Sequence, residues 1–467
     1  MGSLSLEEIA PLDEPSRQSE GVRNGGDARG RCFLGLLLLL TLFRGCLYAT
    51  LTPPWQAPDE TAHFEYAWLL AHLGRLPTYE DRSALFERDL LGSMYEWRYG
   101  EFVGRPVSPQ MPARIPERYS LVRRFSLAYI WIAMFIWPFR HQDLVFQLYA
   151  ARFSQIAIEL GIVYLSWCAF RKLLPHQPKT VAAMTAFVVF LPQHTFINAS
   201  VSDGPLAELC ACAVLYGWLC LALRPGRLQH IAAIVMGTLV GVWAKKTAVF
   251  LLLLDVVMAL VLFWDTYRRR MRVGDLLSLG FIILIALALL GRFAWQSPAM
   301  QFVHASFQRG WSVAGFDWEN RQGTLADVLR STFESFWACF GWMNVRPGYG
   351  WYILVYILTA SAIGGWVLPC SRPWPVPARA AWVMGGGVLV AIGGWLAFLI
   401  ATPRGFVYNQ GRFLFPVVVP VAFFTVGGWI RRMPSRWQEL SSQFVLVLLV
   451  ALDATAVCLS LLPYFYG

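Results

Sequence analysis

Residues 32–66 read CFLGLLLLLTLFRGCLYATLTPPWQAPDETAHFEY, an apolar run from Cys32 to Leu51 followed at once by Thr52-Pro53-Pro54-Trp55-Gln56-Ala57-Pro58-Asp59-Glu60. A helix that crosses a bilayer needs about 20 apolar residues, so the run predicts a transmembrane span. Pro54 and Pro58 stop it from continuing as a regular helix. Two adjacent carboxylates, Asp59 and Glu60, then stand just beyond the membrane. Anchoring in a bilayer does not call for acids at that depth, so they direct attention to chemistry.

The rest of the chain agrees with a membrane protein. Of its 467 residues 57% are hydrophobic, 15% aromatic and 15% charged, and the mean hydropathy is +0.48. A soluble domain is nearer about 45–50% apolar and about 25% charged. The 21 tryptophans fit interfacial belts and sugar-stacking surfaces equally well. A net charge of +10 would suggest nucleic acid for a soluble protein. Here the arginines outside the long segment 52–148 fall mostly in short loops between apolar runs, so they read as orientation signals and no nucleic-acid partner is expected. Residues 1–31 are polar, Gly-rich and of mixed charge, which predicts a disordered cytoplasmic tail without a cleavable signal peptide. Most of the nine cysteines lie in or beside apolar runs, and neither a disulfide framework nor a CxxC metal pattern emerges.

The fold class is therefore an all-α polytopic membrane protein with about eleven transmembrane helices. Spans are expected near 32–51, 149–170, 180–197, 205–223, 229–244, 247–265, 275–294, 350–369, 380–401, 413–430 and 441–463. The apolar stretch 125–138 is too short to cross and reads as an interfacial or re-entrant helix. With the N-terminus inside and the C-terminus outside, the cytoplasmic loops carry Arg171, Lys172, Lys179, Arg224, Arg227, Arg268 to Arg270, Arg272, Arg372, Arg379, Arg431, Arg432 and Arg436. The short external loops carry only Lys245, Lys246, Arg404 and Arg412. That bias is the positive-inside rule. Residues 32–467 then form one transmembrane domain with two large external segments. The first, 52–148, carries interfacial helices. The second, 295–349, is rich in tryptophan (Trp311, Trp318, Trp337 and Trp342).

Within the first segment Asp59 is placed to start a short helix at the membrane surface. On it His63 lies four residues from Asp59 and three from Glu60, so these side chains can share a face, while Phe64, Ala67, Trp68 and Leu70 can meet the bilayer. Three chemistries fit: a helix cap with surface carboxylates, a general base taking a proton from an attacking hydroxyl, and metal ligands at a sugar-phosphate site. On the same side the third span ends in Asn198-Ala199-Ser200-Val201-Ser202-Asp203, a capping turn or a second carboxylate for the site. Lys245 and Lys246 close the fifth span against the orientation rule, either snorkelling to headgroups or holding a phosphate. Tyr408-Asn409-Gln410-Gly411-Arg412-Phe413 opens the tenth span. Its arginine offers a planar fork for phosphate oxygens, and the glycine before it would let backbone approach a ligand. Glu159, Asp255 and Asp453 lie inside predicted spans and are expected to pair with arginines such as Arg152 or with neighbouring helices.

Assembled, these residues resemble the GT-C superfamily of polytopic glycosyltransferases, closest to an uncharacterised bacterial family with a PPWQAPDE-x-x-H-like opening and a late QGR-[YF]-x-x-P segment. Protein O-mannosyltransferases and lipid A aminoarabinose transferases are similar in layout. The resemblance implies a sugar donor on a polyprenyl phosphate and a glycan, lipid or protein acceptor. The site would face the periplasm from a bacterial inner membrane. It implies Asp59 as catalytic base, Glu60 as substitute and Asp203 as second acid, with Lys245 or Lys246 and Arg412 on the lipid phosphate. His63, Asn198, Tyr408 and Gln410 are expected to contribute to substrate binding. No cofactor is certain, and a divalent metal is left open. The family's basic-Pro-Pro segment late in the first loop is replaced here by Arg123-Arg124-Phe125-Ser126. Two other classes compete: a transporter or flippase of a lipid-linked saccharide, with acids as proton relays, and a non-catalytic assembly subunit.

Overall fold

In a computed structural model the described residues are 16–104, 125–223, 228–268, 325–369, 375–401 and 410–467, with isolated positions between 288 and 304. Helix is their one regular secondary structure, and the only β pairing among them is an isolated bridge between Phe340 and Val345. In chain order the helices are α1 (Ser16–Leu51), α2 (Glu60–Leu73), α3 (Ala84–Glu96), α4 (Tyr99–Val103), α5 (Leu127–Ile136) and α6 (Leu144–Leu173). Next come α7 (Pro178–Phe190), α8 (Pro192–Asn198), α9 (Gly204–Leu223), α10 (Leu228–Ala244), α11 (Phe250–Arg268) and α12 (Leu325–Trp337). The last five are α13 (Tyr349–Val367), α14 (Ala378–Ala401), α15 (Val418–Arg431), α16 (Ser435–Ala456) and α17 (Leu462–Tyr466).

Seven stretches among the described residues are long and apolar enough to cross a membrane, and an eighth if α7 and α8 count as one span bent by 58°. The bend falls at Leu191-Pro192, where proline opens α8 in its first turn. Helix α10 and the Leu127–Phe139 stretch are apolar but shorter, so 125–138 does form a short helix. The span expected at 275–294 lies almost wholly outside the described residues. Helix α1 begins at Ser16, inside the segment expected as a tail, and its membrane-grade part begins at Gly30.

Two cores organise the molecule. The larger joins α1, α6, α7, α9, α15 and α16 through residues such as Ile162, Phe187, Leu215, Phe423 and Leu449. Helices α13 and α15 cross where Gly365 meets Gly428; a Cβ on Gly365 would stand 1.9 Å from the Gly428 carbonyl oxygen. The smaller core is built by the first loop: Trp55, Phe64, Tyr66, Phe86 and Leu90 pack with Tyr129 and Ile132 of α5 and with Leu148 and Ala151 of α6. Phe64 and Ala67, expected to meet the bilayer, are instead wholly buried in this core. Arg82 braces it by pairing with Glu65 of α2 and Glu87 of α3. The eight described cysteines are free thiols.

Candidate functional site

The turn between α1 and α2 holds two residues in the left-handed region, Trp55 (φ 69°) and Asp59 (φ 62°). An L-residue pays about 1–2 kcal/mol there, so surrounding contacts must fix the geometry. Trp55 is fully buried, its Nε1 donates to Ser93 Oγ at 2.9 Å, and its carbonyl accepts from Trp342 Nε1 at 3.0 Å. Asp59 caps α2 in position only, because its carboxylate makes no bond to the helix N–H groups. Arg412 Nη2 donates to Asp59 Oδ2 instead, at 2.8 Å, and the aspartate side chain remains 53% exposed.

The adjacent Glu60 has the opposite fate. It is buried, and Arg152 of α6 grips it with Nε to Oε1 at 2.8 Å and Nη2 to Oε2 at 2.7 Å. Arg152 also donates to the carbonyls of Ala49, Thr52 and Pro53, and Val201 N–H donates to Glu60 Oε1 at 3.2 Å. Every charge-bearing atom is thus satisfied inside protein. Arg152 pairs with Glu60 and not with the intramembrane acids. Of those, Asp453 takes Arg44 and Tyr48, and Asp255 accepts from Trp218 and Thr238.

Four segments far apart in sequence bring the remaining groups together. Asp203, in the turn before α9, lies 3.0 Å from Lys245 Nζ at the end of α10. Gly204 allows this approach, since a Cβ there would stand 3.3 Å from Lys245 Nζ. Ser126 Oγ donates to the Ala244 carbonyl at 2.5 Å, tying the start of α5 to the residue before Lys245. His63 is buried, with Nδ1 2.8 Å from the Tyr129 hydroxyl of α5. His63 is acted on by Asp59, Asp203, Lys245 and Arg412, and Arg412 acts in turn on both aspartates. Burial pushes the Asp59 carboxyl up, but Arg412 and then His63 outweigh it and hold it below the ordinary carboxylate value. Asp203 follows the same pattern, with burial opposed by Lys245, His63 and Arg412. Burial lowers the His63 imidazole, and the two aspartates only partly restore it.

The other expected residues divide. Gln410 precedes the 3-10 turn Gly411–Val417, and its Oε1 is buried without a hydrogen-bond partner, as is Arg412 Nε. Gly411 makes a close approach to helix α12 and not to a ligand: a Cβ would stand 2.2 Å from Phe336 N. Lys246 is half-buried and opens the turn Lys246–Val249, while its neighbour Lys245 makes the pair with Asp203. Asn198 is buried at the end of α8, with Nδ2 2.9 Å from His194 Nε2. Tyr408, Arg123 and Arg124 lie outside the described residues, as do Trp311 and Trp318. Trp337 is buried against Phe187, and Trp342 is tied to Trp55. Two partners escaped the sequence reading of the site: Tyr129, hidden in an apolar run, and Arg152, which was expected to pair with an acid inside a span and not with Glu60.

Among the described residues no group of three His, Cys, Asp or Glu side chains is arranged to hold a metal ion. The donor set fits a metal poorly, because each aspartate already faces a cationic side chain. No protein-family model and no curated protein matches the sequence. The coarse class is a helical membrane protein with a polar, charge-neutralised cluster at one end of its bundle.

Proposed function

We propose that this protein is a membrane glycosyltransferase of the GT-C type, moving a sugar from a polyprenyl-phosphate donor to an acceptor. One observation carries the reading: an accessible carboxylate, Asp59, shares one cluster with a second acid, an imidazole and two cations. That is the inventory a phosphate leaving group and a hydroxyl nucleophile require.

In this mechanism the lipid phosphate binds Arg412 and Lys245. Arginine holds five N–H donors, and Nε of Arg412 is without a partner, so the side chain has capacity beyond Asp59. The incoming phosphodiester anion competes with Asp59 for the guanidinium, and the second phosphate charge develops only as the sugar leaves. As Arg412 turns to the phosphate, the guanidinium attraction that depresses Asp59 weakens and the carboxylate becomes a better base. It then accepts the acceptor's hydroxyl proton while that oxygen bonds to the anomeric carbon and the carbon–phosphate oxygen bond breaks. The charge left on the phosphate stays opposite Lys245 and Arg412. Asp203 orients Lys245, and the buried Glu60 with Arg152 positions the turn that bears Asp59. The eleven-span count, the N-terminus-inside orientation and a periplasmic site in a bacterial inner membrane belong to this proposal.

The test is transfer from radiolabelled polyprenyl-phosphate sugars in proteoliposomes, wild type beside Asp59→Asn, with and without chelator. Label reaching water or an acceptor with wild type alone supports the assignment; equal turnover by Asp59→Asn overturns it. A second reading, a transporter of a lipid-linked saccharide, draws support from the ionisable groups buried between α1, α6, α8, α9 and α16. Flipping of the labelled lipid without cleavage would favour it.

A further inference from the structure

Below the Asp59 cluster the helices enclose a second polar region that the proposed reaction does not use. Gln155 and Glu159 of α6, His194 and Asn198 of α8, and Glu208 of α9 are all buried. His194 Nε2 lies 2.5 Å from Glu208 Oε1 and 2.9 Å from Asn198 Nδ2. His194 Nε2 cannot both donate to the Glu208 carboxylate and accept from the Asn198 amide nitrogen; with the amide turned over, Asn198 Oδ1 and Glu208 share the one N–H. In either orientation one amide atom is left unpaired.

The missing partners are the informative feature. Both oxygens of Glu159, both amide atoms of Gln155, His194 Nδ1 and Asn198 Oδ1 are buried and without a hydrogen bond. His194 Nδ1 and Glu159 Oε1 are 3.9 Å apart, too far for a direct bond and a separation at which bridging water is the first question. Thr195, which neighbours Glu159, accepts from Arg44 Nη1 at 2.8 Å and lies 3.3 Å from the Val189 carbonyl that takes its proton. Buried polar groups are ordinarily satisfied, and internal water is the usual partner of a cluster of orphans.

Charge counting leads the same way. Helix α1 contributes Arg44 and Tyr48, and both are engaged by Asp453 of α16. Helix α9 contributes Glu208, with Cys212 beside it. The His194–Glu208 pair accounts for one of the two remaining carboxylates. Glu159 has His194, Arg44 and the Thr195 hydroxyl acting on it but no cation of its own and no geometrically placed hydrogen bond on either oxygen, and a buried ion so placed is costly. Neutrality asks for one more proton.

We propose that this cluster is an internal proton-binding site: Glu159 takes up one exchangeable proton, and waters bridge it to Gln155, His194 and Asn198. In the step a hydronium gives its proton to a Glu159 oxygen and leaves as water. Arg152, Gln155 and Glu159 recur at i, i+3 and i+7 on one face of α6, so the site is reached along the stripe that begins at the Glu60 pair. The inference holds whether the Asp59 cluster transfers a sugar or moves a lipid.

Infrared spectroscopy of the protein in lipid nanodiscs near neutral pH tests it. The expected result is the C=O stretch of a protonated carboxyl that shifts down in D2O, is lost in Glu159→Gln and survives in Asp255→Asn. No such band, a band that persists in Glu159→Gln, or a band indifferent to D2O overturns the proposal. If Glu159→Gln yields no folded protein, Gln155→Leu carries the test. Losing its water contacts should slow deuterium exchange of the band by about tenfold, the equivalent of one water-mediated hydrogen bond. Unchanged exchange overturns the hydrated cluster.

Discussion

The Asp59 cluster and the His194 cluster use the same side-chain types in opposite ways. At the Asp59 end each aspartate has a cation within 3.0 Å, so the cluster is neutral without a bound proton, and Asp59 still reaches solvent. In the interior Arg44 is committed to Asp453, and the acids of the His194 cluster outnumber the bases left to them. A neutral, accessible cluster can trade a cation from carboxylate to an incoming phosphate. An enclosed cluster short of positive charge can trade only protons and water. The buried Arg152–Glu60 pair stands between the two and belongs to the scaffold of both.

The comparison breaks most visibly at the pair of neighbouring acids. Asp59→Asn should cost about 10²–10⁴-fold in transfer rate, the usual worth of a general base, with folded yield and donor binding retained. Arg152→Ala should act through stability, by about 3–5 kcal/mol, because it strands a buried carboxylate; loss of monodisperse protein in size-exclusion chromatography and a lowered melting temperature are the readouts. Equal folding of the two variants would dissolve the distinction between the acids. Lys245→Gln should weaken donor binding by about 1.5–3 kcal/mol, the range for a bond to a charged group, seen as a raised KM at little change in melting temperature. Gly411→Ala should destabilise by about 1–3 kcal/mol, since its Cβ has no space beside Phe336, with donor affinity unchanged in the folded fraction.

The smallest effect expected is on pH. His63 has a folded pKa below its ordinary value of about 6.5. A group lowered on folding contributes stability that is fully present above its unfolded pKa and is lost as pH falls through the folded one. Thermal stability should therefore begin to decline below about pH 6.5, and Asp59 and Asp203, also lowered, extend the decline below the ordinary carboxylate range. Tyr129→Phe, which removes the partner of His63 Nδ1, should move the first part of that decline and leave the acidic part in place. A pH profile identical in His63→Gln would separate the imidazole from the effect.

Much of this layout was legible before any coordinates. Runs of about 20 apolar residues announce spanning helices because the bilayer sets the length; the stretches at 32–51, 205–223 and 441–463 are all spanned by such helices. The prolines at 54 and 58 mark the end of α1 for an equally local reason. The bend at Leu191-Pro192 was also written in the chain as a proline, although periodicity alone reads 180–197 as one rod. Phe64 and Ala67 were misplaced because an apolar helix face looks the same whether it meets lipid or a neighbouring loop. Only the packing of α3 and α5 decides between them.

By itself, then, the sequence determined what depends on local composition: a helical membrane chain, where its spans break, and which polar residues stand at their ends. Asp59, His63, Asp203, Lys245 and Arg412 could each be singled out for being charged or titratable where apolar residues prevail. Only the tertiary structure decided which of them meet, that Arg412 takes Asp59 while Arg152 takes Glu60, and that Lys245 reaches Asp203. The physical reason is range. Hydropathy acts over one turn or one span, whereas an ion pair between residues 353 positions apart exists only once helix packing has set the distance and excluded the water.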